Sequence, residues 1–206
     1  MLKLGFLASN NGSSLRAVVA AIEGGTLAAE ARLVVSNRKT APALAFARER
    51  GIATAFIPTI ADPEAADARL TRAFRAAEVE LVILSGYLRK LGPRTLAAFS
   101  GRILNIHPAL LPRHGGQGMY GRRVHEAVLA AGDQVSGATV HLVDEEYDHG
   151  AIVARVEVPV AGGDTAQSLE ARVMAAEPAL FVQTLQRLVA GDLTLPKPSE
   201  RERLGR

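Results

Sequence analysis

Cysteine is absent from the 206-residue chain, so disulfides and thiolate metal sites are excluded, which fits a reducing cytosol. Tryptophan is absent too, and tyrosine and phenylalanine number only three and six; the chain has few stacking platforms for unpaired bases. No charge sign dominates. Lys and Arg total 24 against 21 Asp and Glu, and the pI near 9.6 rests on that small excess. A short basic stretch, Pro196 to Arg206, carries Lys197, Arg201, Arg203 and Arg206 among glutamates and reads as a solvated, frayed end. Nucleic acid is therefore not an expected partner. No apolar run reaches the roughly 18 residues of a membrane helix. Met1 to Leu7 runs straight into a strand pattern with no signal peptide visible. None of His107, His114, His125, His141 and His149 falls in a familiar metal-binding spacing, so no metal is expected. These absences leave a cytoplasmic protein with neither nucleic acid nor membrane as partner.

What is present is a regular α/β pattern. Hydrophobic residues at 48% and charged residues at 22% are ordinary for a globular protein, and the length fits one domain, 1–206. Short apolar runs alternate with helical periodicity. Strands are predicted at Leu2 to Ala8, Arg32 to Ser36, Ala53 to Ile57, Leu81 to Ser85 and Arg102 to His107. Between the first four lie helical patterns: one through Leu15, Val18, Val19 and Ile22, one over Ala41 to Arg50, and one from an Asp62 cap to about Ala77. The succession predicts a Rossmann-like, mostly parallel sheet with helices on both faces. The second half changes character. A long loop from Pro108 to Tyr120 leads to a helix at Gly121 to Ala131. Alternating strands at Ser136 to Val143 and Ala151 to Val160 follow, joined by a hairpin-like turn at Asp148-His149-Gly150, and a last helix is capped by Asp164 or Thr165. This half adds antiparallel strands.

Chemistry concentrates at strand ends. In Ile103-Leu104-Asn105-Ile106-His107-Pro108, Asn105 and His107 are two apart and share a strand face, and Pro108 ends the ladder. An amide beside an imidazole at a carboxyl strand end can stabilise an oxyanion while moving a proton; equally, the pair can serve only to bond loop carbonyls. Asp148, in the acidic turn Asp144 to Gly150, is a candidate carboxylate partner for that imidazole or a solvated turn residue. Ser9-Asn10-Asn11-Gly12-Ser13-Ser14-Leu15 joins the first strand to the first helix. It offers either a phosphate site at a helix N-terminus or an ordinary serine cap. The loop Leu84 to Leu91 can hydrogen-bond a flat heterocycle through its backbone, or is a plain strand-to-helix turn. His114 reads as a solvated loop residue, His125 as structural, His141 as a core histidine with a possible support role, and His149 as exposed. Glu177 is either an exposed helix charge or a carboxylate facing a substrate.

Taken in order, these segments closely resemble the folate-dependent phosphoribosylglycinamide formyltransferases. The resemblance runs from about Lys3 to Leu193. It is carried by Asn11-Gly12-Ser13-Ser14-Leu15, Ser36-Asn37, Ser85-Gly86-Tyr87-Leu88-Arg89 and Leu104 to Pro112. Gly118-Met119-Tyr120-Gly121, Val124 to Val128, Ser136 to His141 and the acidic turn through Asp148 continue it. The resemblance implies that 1–100 is a phosphate- and nucleotide-binding half and 101–194 a catalytic and folate-binding half, with 195–206 a flexible tail. It implies that Gly12, Ser13 and Ser14 hold the phosphate of glycinamide ribonucleotide. Leu88, Arg89, Lys90 and Leu91, with Asn105 and Asp144, would bind 10-formyltetrahydrofolate, the co-substrate. Asn105 and a protonated His107 would stabilise the tetrahedral oxyanion, and Asp148 would keep His107 protonated and order a water. Glu177 would lie near the substrate amine and ribose. A monomer or homodimer acting on small molecules follows.

Two features depart from the pattern. An arginine that some members carry between the third strand and its helix has no match at Ala61-Asp62-Pro63-Glu64, and Gly115 to Arg123 fits the longer loop of one branch. Related enzymes on the same core are expected to look different: a methionyl-tRNA formyltransferase would carry a further C-terminal domain, and a 10-formyltetrahydrofolate hydrolase an N-terminal regulatory one. A non-catalytic nucleotide-binding module would bind phosphate ligands without turnover and would not need Asn105, His107 and Asp148 together.

Overall fold

The computed structural model describes residues 1–195. The basic stretch Pro196 to Arg206, and with it nearly all of the expected tail, lies outside the described residues. Seven strands and six helices follow the chain as β1 (Leu2–Leu7), α1 (Ser13–Glu23), β2 (Ala29–Ser36), α2 (Pro42–Glu49), β3 (Ala53–Phe56), α3 (Pro63–Ala76) and β4 (Leu81–Leu84). Then come α4 (Pro93–Ala98), β5 (Ile103–His107), α5 (Arg122–Ala130), β6 (Val135–Leu142), β7 (Ile152–Pro159) and α6 (Ala166–Ala190).

The strands form one sheet in the order β3-β2-β1-β4-β5-β6-β7. The first five run parallel, and β6 is antiparallel to both of its neighbours. From β1 the chain moves outward to β2 and β3, then returns to place β4 on the other side of β1. The topological switch point therefore lies between β1 and β4, and ligand sites of open α/β sheets gather outside such a point. β4, Leu-Val-Ile-Leu, is buried throughout, as a central parallel strand covered on both faces must be.

Two apolar layers sandwich the sheet. One packs Leu15, Val18, Leu44, Val128, Leu169, Val173, Phe181 and Leu185 from α1, α2, α5 and α6 against Phe6, Ile83 and Leu104. The other packs Leu70 and Phe74 of α3, with Phe99, against Leu7, Val35, Val82 and Ile103. Each fully buried leucine or phenylalanine contributes about 1.5–3 kcal/mol.

The element boundaries show where tertiary contacts override local pattern. β2 begins at Ala29 because Ala29, Glu30 and Ala31 pair with Leu2, Lys3 and Leu4, ahead of the apolar run. α4, which local patterning does not reveal, starts where the Asp67 carboxylate accepts the Arg94 N–H at 2.8 Å and the Thr95 N–H at 3.1 Å. A cap from a distant helix thus replaces a local one. Asp62 caps α3 as expected, accepting the Ala65 N–H at 2.9 Å. Thr165 caps α6 through a reciprocal pair with Ser168. The predicted tight turn between β6 and β7 is instead a longer connection over 143–151. It is closed where the Leu142 N–H meets the Ala151 carbonyl at 2.9 Å, and it carries the acidic residues across to β5.

Candidate active site

The site grows from the carboxyl end of β5. Pairing with β6 sets Asn105 opposite His141 and His107 opposite Thr139. His107 is 3% exposed. Its Nε2 lies 2.8 Å from the His114 carbonyl, which can only accept, so that nitrogen carries a hydrogen. Its Nδ1 lies 3.3 Å from Asp148 Oδ2. Both ring nitrogens thus face acceptors, and an imidazolium satisfies the two at once.

Asp148 reaches this position from a left-handed backbone, φ 56, on the 143–151 connection. Its Oδ2 also accepts the Gly116 N–H at 3.0 Å. Burial pushes the carboxyl up, but the hydrogen bond and charge of His107, the Gly116 N–H and His141 outweigh it and hold the group below its ordinary 3.8. A side chain at Gly115 would meet Asp148 Cβ at 3.2 Å and run into Leu111, so glycine keeps the approach open.

His141 organises the amide. Its Nδ1 donates to the Leu142 carbonyl at 2.8 Å. Burial holds the ring below its ordinary 6.5, against the pull of that carbonyl and of Asp148. The neutral ring therefore presents the Nε2 lone pair, which accepts from Asn105 Nδ2 at 3.1 Å. This fixes the amide orientation and leaves the second Nδ2 hydrogen of Asn105 free to donate. His141 Nε2 also lies 3.6 Å from Asp148 Oδ1, too far to bond, so two pairs, Asn105–His141 and His107–Asp148, lie side by side.

The segment after β5 is pinned from the antiparallel strands. The Thr139 hydroxyl donates to the Ala109 carbonyl at 2.6 Å and accepts the Leu111 N–H at 3.1 Å. Arg155 donates to the Leu111 carbonyl. His114, expected in solvent, is instead largely buried: its Nε2 pairs with Asp133 Oδ2 at 2.7 Å and Arg113 takes Oδ1 at 2.6 Å. That anchor places the carbonyl that meets His107.

The remaining sequence candidates lie on the loops after β1 and β4, in the 143–151 connection and on α6. Gly12, in the left-handed region at φ 68, is the N-cap of α1, and no side chain caps the helix; the serine-cap alternative does not hold. The Leu15 N–H goes to Ser85 Oγ and the Arg16 N–H to the Gly12 carbonyl, while the N–H groups of Ser13 and Ser14 find no partner among the described residues. Leu88 to Leu91 follow β4, beside β5. The Leu88 N–H is committed to Ser9 Oγ at 2.8 Å, so Arg89, Lys90 and Leu91 hold the free backbone donors of that loop. Asp144 is turned into its own loop, accepting from His149 Nδ1 and the Glu146 N–H, each at 2.9 Å. Lys90 lies 5.7 Å from the Tyr147 ring and links the two loops. Glu177, on α6, is mostly enclosed, and burial pushes its carboxyl up to about 7 while His107 pulls the other way. His125 is buried as expected, with Nδ1 unpaired, and His149 is exposed. No three His, Asp or Glu side chains among the described residues are placed to hold a metal ion, and no described helix is long and apolar enough to cross a membrane.

Two parts of the site escape sequence reasoning. The His114 carbonyl and Gly116 N–H are main-chain groups with no residue signature. His141 reads from sequence as a core or supporting histidine, but its pairing with Asn105 depends on register.

Comparison with known proteins agrees with this fold. Residues 2–185 match the formyl transferase family. The chain is 39% identical over 193 residues to a chloroplastic phosphoribosylglycinamide formyltransferase of Vigna unguiculata, a match covering 90% of this chain and 60% of that one. It is 35% identical over 191 residues to the phosphoribosylglycinamide formyltransferase of Escherichia coli, covering 92% of this chain and 88% of that one. The crystal structure of glycinamide ribonucleotide transformylase 1 from Symbiobacterium toebii superposes with a TM-score of 0.86 at 33% identity, covering 95% and 91% of the two chains. A seven-stranded, mostly parallel sheet with two antiparallel strands beyond β5 sits within these matches: the chain belongs to the formyl transferase family.

Proposed function

We propose that this chain transfers the formyl group of 10-formyltetrahydrofolate to the glycine amine of glycinamide ribonucleotide. The products are formylglycinamide ribonucleotide and tetrahydrofolate, and the step belongs to de novo purine biosynthesis. The observation that carries the reading is His107 buried against the Asp148 carboxylate, with the Asn105 amide on the same strand face oriented by His141, in a chain of this family.

In this reading the N–H groups of Ser13 and Ser14, with Gly12 allowing close approach, hold the ribonucleotide phosphate at the positive end of α1. The backbone of Arg89 to Leu91 takes the folate heterocycle, with Leu88 holding the loop and Asp144 shaping the opposite wall. Glu177 lies on the ribonucleotide side, toward the amine and ribose. The neutral amine attacks the formyl carbon. As the C–N bond forms, negative charge moves to the formyl oxygen, where the free Asn105 hydrogen and the His107 Nε2 hydrogen meet it. His107 Nε2 carries that hydrogen toward the His114 carbonyl, and in this reading the formyl oxygen takes it in place of the carbonyl. The bond to folate N10 then breaks, and the amine proton passes to N10 with His107 as relay. Asp148 balances the imidazolium throughout. One donor to an oxyanion is worth about 3–4 kcal/mol. A monomer or homodimer in the cytoplasm, acting on small molecules alone, is part of the same proposal.

The test is a steady-state assay of the purified chain with both substrates, following deformylated folate. Release that requires the ribonucleotide, with formylated ribonucleotide as product, is the expected result. Release without the ribonucleotide would indicate hydrolysis, and no release from folded protein would indicate a binding module; either would overturn the proposal.

A further inference from the structure

At the switch point, the loop after β1 and the loop after β4 are tied together through two serines outside the catalytic group. The Ser9 N–H donates to the Gly86 carbonyl at 3.1 Å. Its hydroxyl donates to Asn37 Oδ1 at 2.6 Å and accepts the Leu88 N–H at 2.8 Å. From the other side, Ser85 Oγ accepts the Leu15 N–H at 2.9 Å, in the first turn of α1. Ser9 and Ser85 are 0% and 2% exposed. Arg38, following β2, closes the same loop by donating to Asn10 Oδ1 at 2.6 Å.

The bonding allows one arrangement. Ser9 has a single hydroxyl hydrogen, which goes to Asn37, and the lone pairs it leaves face Leu88. Leu88 therefore takes its position from Ser9, and Arg89 to Leu91 follow it. Ser9 in turn opens the segment that ends at Gly12, Ser13 and Ser14. A buried residue that belongs to the first loop and bonds the second transmits order from one to the other. An anion bound at α1 restricts the Asn11 to Ser14 segment, and a heterocycle bound after β4 restricts Leu88 to Leu91. Ordering either loop lowers the conformational cost of ordering the second.

We propose that Ser9 is a positioning residue that couples the phosphate loop to the folate loop, so that each substrate tightens the binding of the other. The inference rests on the proposed function for the identity of the two ligands. Coupling of this kind is reciprocal and typically about 5- to 150-fold.

Isothermal titration of the full chain tests it, using glycinamide ribonucleotide and a dideazafolate that carries no formyl group, each alone and each with the other saturating. The parent chain is expected to bind either ligand at least about 5-fold tighter when the other is present, by the same factor in both directions. In Ser9→Ala that factor falls toward one, with each ligand still bound alone. Asn37→Ala removes only the acceptor that orients the Ser9 hydroxyl and loses part of the factor. It carries the test if Ser9→Ala does not melt cooperatively. A merely structural role for Ser9 would weaken both affinities and leave their mutual factor unchanged. The proposal is overturned by a parent factor of one, or by a factor kept in both variants, when both ligands bind. Binding of neither ligand would overturn the functional reading and this inference with it.

Discussion

Glu177 carries the largest pH-linked energy that the site places on the fold. It precedes Pro178 within α6, and burial raises its carboxyl from the ordinary 4.5 to about 7. Because the folded value is the higher one, the folded state binds the proton more tightly than the unfolded chain. Stability from this group is complete below 4.5, falls as pH rises through the window from 4.5 to about 7, and is flat above it. At about 1.4 kcal/mol per pH unit the whole loss comes to about 3 kcal/mol. Glu177→Gln keeps the shape and removes the titration. The variant is expected to match the parent within about 1 kcal/mol at pH 5 and to exceed its stability by up to about 3 kcal/mol at pH 8. For a chain of this length that is a rise in Tm of roughly 6–12 °C. Urea and thermal unfolding of both proteins at the two pH values measure the difference, and contributions from groups that do not interact with Glu177 cancel in it. If the carboxylate also meets the ribonucleotide, the same substitution weakens its binding: a more stable but less active enzyme, as expected of a strained site. An equal stability difference at both pH values, or a variant less stable at pH 8, would refute the reasoning.

Removing one member of the proposed catalytic group is expected to cost turnover rather than fold. His107→Ala, Asn105→Ala and Asp148→Ala each lower kcat by at least roughly 100-fold while melting cooperatively, and near-parental turnover in any of them removes that residue from the mechanism. Asp133→Ala frees His114 and Arg113, so amide hydrogen exchange over 113–121 should speed up while the strands keep their protection; unchanged exchange would show that the loop is held by other contacts. Thr139→Val leaves the Ala109 carbonyl and Leu111 N–H without their bridge and should cost about 1–3 kcal/mol in urea unfolding, against near zero if the segment relaxes onto another partner.

The order of the strands, and of every helix but α4, was legible because each rests on a local signal: the period of α1, the Asp62 cap of α3, the unbroken apolar run of β4. Asn105 and His107 were legible for the same reason, since a period of two places them on one face whatever surrounds them. Asp148 was readable as a carboxylate in a turn, but nothing local says that the turn crosses to β5; that followed from the resemblance and depends on the longer 143–151 connection. α4 was missed because its cap, Asp67, comes from another helix. Ser9 was missed as a link because a serine after a strand looks the same whether it faces solvent or joins two loops. The deepest gap is at 114–116, where the contacts to His107 and Asp148 come from a carbonyl and an N–H. Almost any residue can supply those atoms, so the pattern of side chains there is nearly free of information about them. What is constrained is the path of the backbone, and its trace in the sequence is a missing side chain. At Gly115 a Cβ would lie 3.2 Å from Asp148 Cβ and press on Leu111, so a side chain there would crowd the carboxylate as it reaches the imidazole.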